Sequence, residues 1–517
     1  MESYPLSMSH KFKEYNQQQN WLLPPSIEEM IPIDHPVRIV NGVIEYLDIQ
    51  PLIEAYSKEG QPSYHPKMML KVMVYAYMDN TYSSRKIEKA MRENINFMWL
   101  SNKQVADHNT IARFRSKKLK GVFKDIFKQV VLLLAQEGLV TLKQVYTDGT
   151  KIESVAGRYT FVWGNAIKTR KEKMMQQLEE MWEYAQSIAD EEDQDPTPPD
   201  FKKVEKAKVE QTARKINKIL RGNDKASPKA KAKARYIDKN FVPNLEKYEQ
   251  QEKLLANRSS YSKTDPDATF MRMKEDHMKN GQLKPGYNVQ ISSEDQFIVN
   301  YTLHQDTNDI HTLKPHLESF EYLYQDLPES LTADAGYGSQ ENFELLSNKG
   351  IQAYVKFNTF DKEQNATGKK NKTTPFHRDS LHYNENEDYY VCPMGQRMNK
   401  IYQSNKTTKS GYKQTYSKYR AQNCKGCPIR GACFKGKNNR VVERNHTLEH
   451  YKQKAREALL SEIGEIKRKK RTADVEPVFA HIKHNRNFKR FTHRGLDKVE
   501  LEFGLHALAH NIRKKSA

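Results

Sequence analysis

The strongest constraint on this chain is a pair of short apolar segments that each run into a carboxylate. VYTDGTK carries Asp148, and LTADAGYGSQEN carries Asp334. Apolar and β-branched residues before each acid read as strands, and the small residues after it read as a strand end. In open α/β sheets, sites gather where strands end and loops leave side chains accessible. Gly149 beside Asp148, with Gly336 and Gly338 beside Asp334, would let a phosphate backbone or a hydrated metal approach without a Cβ in the way. The ordinary alternatives are an Asp-Gly turn at 148 and a helix cap at 334.

The chain between these two strands cannot all be sheet. Met174, Leu178, Met181, Ala185 and Ile188 alternate at spacings of four and three, as do Val209, Ala213, Ile216 and Leu220. That spacing predicts a helical hairpin of coiled-coil type, broken by the acidic, proline-rich DEEDQDPTPPD. Strand patterns resume with LKPGYNVQIS and FIVNYTLHQ, joined by SSEDQ as a hairpin, then a helix near 311–325 and a further strand at IQAYVKF. The expected organisation is an N-terminal helical DNA-binding region at 1–137 and a first core segment at 138–169. A helical insertion follows at 170–258, a second core segment at 259–360, a cysteine module at 361–440 and a helical end at 441–517. The fold class is therefore mixed α/β (α+β), interrupted twice.

With 85 basic against 65 acidic residues, the net charge of +20 points to a polyanionic partner, foremost nucleic acid. The opening MESYPLSMSHKF lacks the apolar core of a secretory signal, and no apolar run approaches membrane-spanning length, so a cytoplasmic protein with no membrane is expected. Within 64–120, HPKMMLKVMVYAYMDN, SSRKIEKAMRENINFMWL and NTIARFRSKKLK read as three helices, the second starting at a Ser pair and the third at Asn109/Thr110. As a helix-turn-helix they would turn Arg113, Arg115, Lys117 and Lys118 towards DNA; as a plain bundle the same residues are a solvated basic face.

A hard-metal site needs a third acid. In TADVEPVFAHIKHN, Asp474 is expected to cap a helix with Pro477 in its first turn, so that Glu476 and Lys483 share one face. Glu500 and Glu502 compete as helical carboxylates. The basic run Lys467–Arg471, followed by Arg486, Lys489, Arg490 and Arg494, lies beside Glu476 and is expected to contact a DNA backbone. All four cysteines fall at 392, 424, 427 and 433, and the Cys424-x2-Cys427 knuckle with Cys392 and Cys433 predicts a structural Zn²⁺ site rather than disulfides. His506 and His510 have metal-pair spacing but no intervening glutamate, and read as packing.

Taken together, the motifs resemble those of DDE-type insertion-sequence transposases. The resemblance runs through NWLLPPSIEEMIPIDHPVRIVN, YHPKMMLKVMVYAY, ADHNTIARFRS, VYTDGTKIESVAGRYTFVW, TDPDATFMRMK, KPGYNVQ, LTADAGYGSQEN and VEPVFAHIKHNRNFKRFTHRGLDKVELEFGLHALAHNIRK, in that order. It implies a ribonuclease-H-like catalytic fold with Asp148, Asp334 and Glu476 as the catalytic triad and Lys483 as the lysine of an E-x6-K signature. It also implies two Mg²⁺ or Mn²⁺ ions, cleavage of element ends, joining of the freed 3′-hydroxyl to target DNA, and at least a dimer in a bacterial, nucleoid-associated setting. The chain departs from the pattern where relatives place Tyr and Arg seven and four residues before the glutamate: Lys469 and Thr472 stand there, with Arg471 one place off.

Overall fold

The computed structural model describes residues 17–18, 22–23, 25–57, 59, 61–189, 199–201, 205–273, 281–364 and 376–516. Most of the expected acidic break DEEDQDPTPPD lies outside these residues.

The core is a sheet whose strands we label β1 (Gln144–Glu153), β2 (Leu283–Glu294), β3 (Phe297–His304), β4 (Ser330–Ala333) and β5 (Gln352–Val355). β1 is central, antiparallel to β2 on one side and parallel to β4 on the other. β3 extends β2 antiparallel, and β5 extends β4 in parallel. A short strand, Thr269–Arg272, also pairs with β2. The architecture is mixed α/β and consistent with the ribonuclease-H-like fold. The β2–β3 hairpin turns on Asp295 and Gln296, both at positive φ (49° and 64°), which suits a two-residue hairpin turn.

One hydrophobic core joins this sheet to the N-terminal helices and to the last helix. Tyr77, Phe127, Val289, Tyr301, Leu331, Val475 and Phe503 all belong to it. Leu496–Lys515, buried along almost its whole length, packs against β3 and against the helix Pro66–Met78. The N-terminal region and the sheet are thus one packed body. The expected second helix of this region is two, Ser84–Glu93 and Ile95–Leu100, because Asn94 leaves helical geometry and caps the second by accepting from Asn96 N. The third starts after Asp107, whose carboxylate accepts from Asn109 N and Thr110 N. It then widens into a π turn over Phe114–Lys118.

The insertion holds three helices rather than a hairpin: Gly164–Ile188, Lys206–Gly222 and Pro228–Leu255. The predicted stripes of the first two meet Ala234, Ile237, Phe241 and Leu245 of the third in a separate apolar core. The cysteine module contains a five-stranded antiparallel sheet whose last strand, Val441–Arg444, lies just past the expected boundary.

Candidate active site

Asp148 lies midway along β1 rather than at its end, because β1 stays paired with the antiparallel β2 as far as Glu153; Asp334 lies one residue beyond β4. The last paired residues of these neighbouring parallel strands are Thr147 and Ala333, so the two acids follow side by side. Asp148 is 8% exposed and its Oδ1 accepts from Gly149 N at 2.8 Å. Asp334 caps a short 3-10 turn by accepting from Gly336 N at 2.8 Å, and Ser339 then caps the helix Gln340–Asn348. The capping reading of Asp334 is met at this 3-10 turn, and the helix that follows has Ser339 as its own cap.

The glycines are needed for tight packing rather than for open space. A Cβ on Gly149 would stand 2.4 Å from Gln290 Nε2 and 2.9 Å from Asp309 Oδ1. One on Gly338 would stand 2.3 Å from the Lys356 carbonyl oxygen. Behind the acids lies a polar network that sequence reading missed. Asp309 Oδ1 accepts from Asn288 Nδ2 at 2.7 Å and Gln290 Nε2 at 3.0 Å, and the Tyr337 hydroxyl donates to Gln290 Oε1. Burial first, then the charges of Asp309, Asp148 and Asp334, push the Tyr337 phenol far up. The sequence signal was available: Asn288, Gln290 and Ser292 alternate along a strand buried on both faces, and such polar groups must be satisfied by one another.

Glu476 comes from the helix Glu462–Ala480, whose start the sequence misplaced. The cap is Ser461, accepting from Gly464 N, so Asp474 and Pro477 are interior. Pro477 has no N–H to give to the carbonyl four residues back. Gln296 Nε2 supplies that bond, donating to the Ala473 oxygen at 3.0 Å. Asp474 is buried and accepts from the Ser293 hydroxyl; burial raises its carboxyl above the ordinary range. Glu476 is exposed, and Arg471 reaches both acids, with Nη1 3.3 Å from Asp148 Oδ2 and Nη2 3.9 Å from Glu476 Oε1. The arginine one place off the expected position therefore lies between the two carboxylates. Glu500 and Glu502 are engaged elsewhere, the first pairing with Lys124 at 3.0 Å and the second accepting from Thr492 and His493. Among the described residues, no three His, Cys, Asp or Glu side chains stand close enough to form a ready metal cluster.

Several residues expected to face DNA bond within the fold, some of them buried. Lys483 is buried and donates to the Lys151 carbonyl, because a π turn at His481–Asn485 rotates it off the face of Glu476. Arg486 is 3% exposed and donates to the carbonyls of Tyr77 and Met78. Arg490 donates to the Ser154 and Ala156 carbonyls, and Arg494 to that of Val155, strapping the C-terminal segment to the end of β1. Arg115 is buried under Tyr77 and Tyr82, and Lys118 donates to the Ala55 carbonyl. Arg113, Lys117, Lys489, Arg490 and Arg494 remain exposed. His506 and His510 are buried packing residues, as expected; burial pushes them down to about 3 and about 4.

The four cysteines line a single small cavity with Phe434 and Arg440. Backbone N–H groups of Met394 and Arg440 donate to Cys392 Sγ and Cys424 Sγ, each at 3.4 Å, and Arg440 Nη1 lies 2.8 Å from Cys433 Sγ.

Comparison with known proteins addresses the two ends of the chain. Residues 25–117 match a family described as transposase domain (DUF772), and residues 391–515 match one described as transposase DDE domain. The second match spans the cysteines and Glu476, but neither Asp148 nor Asp334. Searches of curated proteins and of solved structures returned no significant match. Among the described residues, no helix is long and apolar enough to cross a membrane. The two matches, in the order that the motifs lead one to expect, are consistent with a DDE-type insertion-sequence transposase.

Proposed function

We propose that the protein cleaves DNA at the ends of an insertion sequence and joins the freed 3′-hydroxyl to target DNA, with Asp148, Asp334 and Glu476 as its catalytic carboxylates. The observation that carries this reading is that Asp148, midway along β1, and Asp334, just past the end of β4, follow side by side on neighbouring parallel strands, with Arg471 between Asp148 and Glu476. An all-oxygen donor set fits Mg²⁺ or Mn²⁺, and a pair of such ions would supply Lewis acidity to the attacking and leaving oxygens.

The chain's own residues do the positioning. Gly149 N–H holds Asp148 and Gly336 N–H holds Asp334 before substrate arrives. Glu476 lies on the solvent side and can move, while Asp148 is held. Arg471 is placed to exchange its carboxylate partners for the scissile phosphate, a planar donor suited to that group. Water is the first nucleophile and the released 3′-hydroxyl the second, so no covalent protein–DNA link forms. Holding two element ends together requires more than one copy of the chain. Cys392, Cys424, Cys427 and Cys433 share one cavity without standing at ligand distance, and would have to draw together to hold a structural Zn²⁺, with the N–H donors of Met394 and Arg440 on Cys392 and Cys424 Sγ. Metal analysis that finds no zinc while all four thiols titrate removes that assignment.

The deciding experiment incubates the protein with labelled DNA flanking its gene, with Mg²⁺, Mn²⁺ or chelator, beside Asp334→Asn. Metal-dependent nicking and strand-transfer product, both absent from the variant, are expected. Nicking without joining would make the protein a related nuclease. DNA binding with no cleavage of any substrate would make it an inactive DNA-binding derivative.

A further inference from the structure

A cavity of about 490 Å³ lies where the N-terminal helices meet the C-terminal segment, lined in part by Ser83, Ser84, Arg85, Lys86, His108 and Arg115. We propose that it is a binding site for one backbone phosphate of DNA. The inference rests on the reading of the protein as a DNA transposase and adds a defined contact to it.

Three features converge. The helix Ser84–Glu93 points its N-terminus at the cavity, and Ser83, at the cap position, makes no side-chain capping bond. First-turn N–H groups have no acceptor within their own helix, and the helix dipole favours an anion there.

The second feature is independent of the first. Arg115 is only 6% exposed, yet no carboxylate pairs with it among the described residues. Its Nη1 donates to the Tyr82 carbonyl at 2.9 Å and the Tyr77 hydroxyl at 3.2 Å, Nη2 lies 3.4 Å from Ser84 Oγ, and Nε has no acceptor. The neighbouring acids are engaged: Glu88 by Arg92 and His108, Glu502 by Thr492 and His493. A buried guanidinium without a counter-charge is costly, and an anion in the cavity removes that cost.

The third feature is the mouth. Arg85 and Lys86 are exposed and have no ion-pair partner among the described residues, so their charge is available to a polymer that continues past the cavity. The opposite wall includes Thr492, which follows directly on the Arg490 strap to β1. A phosphate held here is therefore held in fixed relation to the strand that carries Asp148.

The test measures binding of a labelled duplex by fluorescence anisotropy across a salt series, for wild type and Arg85→Ala/Lys86→Ala, with thermal melting to confirm folding. The double variant is expected to bind about tenfold more weakly, with the log–log salt slope reduced by about one, equally for flanking and random sequence. An unchanged slope in the folded variant overturns the proposal while leaving the transposase reading intact. If the wild type binds no DNA, both fall together. If inorganic phosphate raises the melting temperature of the wild type alone while the DNA slope is unchanged, the cavity takes a free anion, and the DNA proposal fails.

Discussion

Arg115 and Arg471 each belong to a conspicuous basic run, RFRSKK and KRKKR, and each is turned away from solvent. Their surroundings differ. Arg471 meets two carboxylates, Asp148 and Glu476, so its charge is balanced within the fold. Arg115 meets a carbonyl and two hydroxyls, so its charge is not. Basic residues in sequence are thus a poor guide to which charges await a ligand; the local counter-charge is the better one. Arg486, Arg490 and Arg494 form a third kind, spending their donors on backbone carbonyls.

The largest expected effect tests the balanced arginine. Asp148→Asn should lower metal-dependent DNA cleavage by about 10³-fold while leaving duplex affinity within about twofold. Normal cleavage by the variant would end the assignment of Asp148, and with it the view of Arg471 as an active-site cation.

Arg486→Ala probes the carbonyl-binding kind. It should cost about 3 kcal/mol in chemical denaturation, from lost bonds and a cavity at the seam, with no change in the salt slope of DNA binding. A reduced slope would move Arg486 into the ligand-binding class.

Next in size is a pH effect beside Arg115. His506 packs against Tyr77, Tyr82 and Phe488 with neither ring nitrogen hydrogen-bonded, and burial lowers it to about 3. Below its ordinary value near 6.5, the unfolded chain takes up a proton that the folded chain refuses. Stability is therefore lost as pH falls below about 6.5, and the loss levels off below about 3. His506→Phe should recover about 2 kcal/mol at pH 5 relative to its effect at pH 8. Parallel pH–stability curves for the two proteins would contradict this.

The smallest effect concerns exposed charge. Lys489→Ala should change stability by less than about 0.5 kcal/mol and weaken DNA binding no more than about threefold, a modest share of the electrostatic attraction. A larger loss would place a second phosphate contact on the C-terminal segment.

Much of the core was legible because its signals are local. β1 with Asp148, the β2–β3 hairpin and the heptad-like stripes all follow from residue type and spacing. The misreadings came from long-range compensation. Pro477 reads as a helix start unless one knows that Gln296, on a hairpin far away in sequence, satisfies the carbonyl it abandons. Asp474 reads as a cap until Ser293 is seen to bury it. Lys483 fits a face-sharing pattern that holds only for unbroken α-helix, and the π turn breaks it. Asp148 and Asp334 were visible as acids beside strand patterns, although only Asp334 stands at a strand end, whereas Asp309 and Arg471 acquire their places only through tertiary packing.

The Glu462–Ala480 helix has a consequence for how the molecule comes into being. Its Lys467 reaches Ser330 Oγ and Gln144 Oε1, across separations of 137 and 323 residues. Closing loops of that size makes folding slow and defers it to the end of synthesis. A ribosome that has finished every strand of the central sheet has still not delivered Arg471 or Glu476. The nascent chain therefore carries its two aspartates in an incomplete setting. A message cut short anywhere before this helix encodes a polypeptide without the assembled carboxylate site.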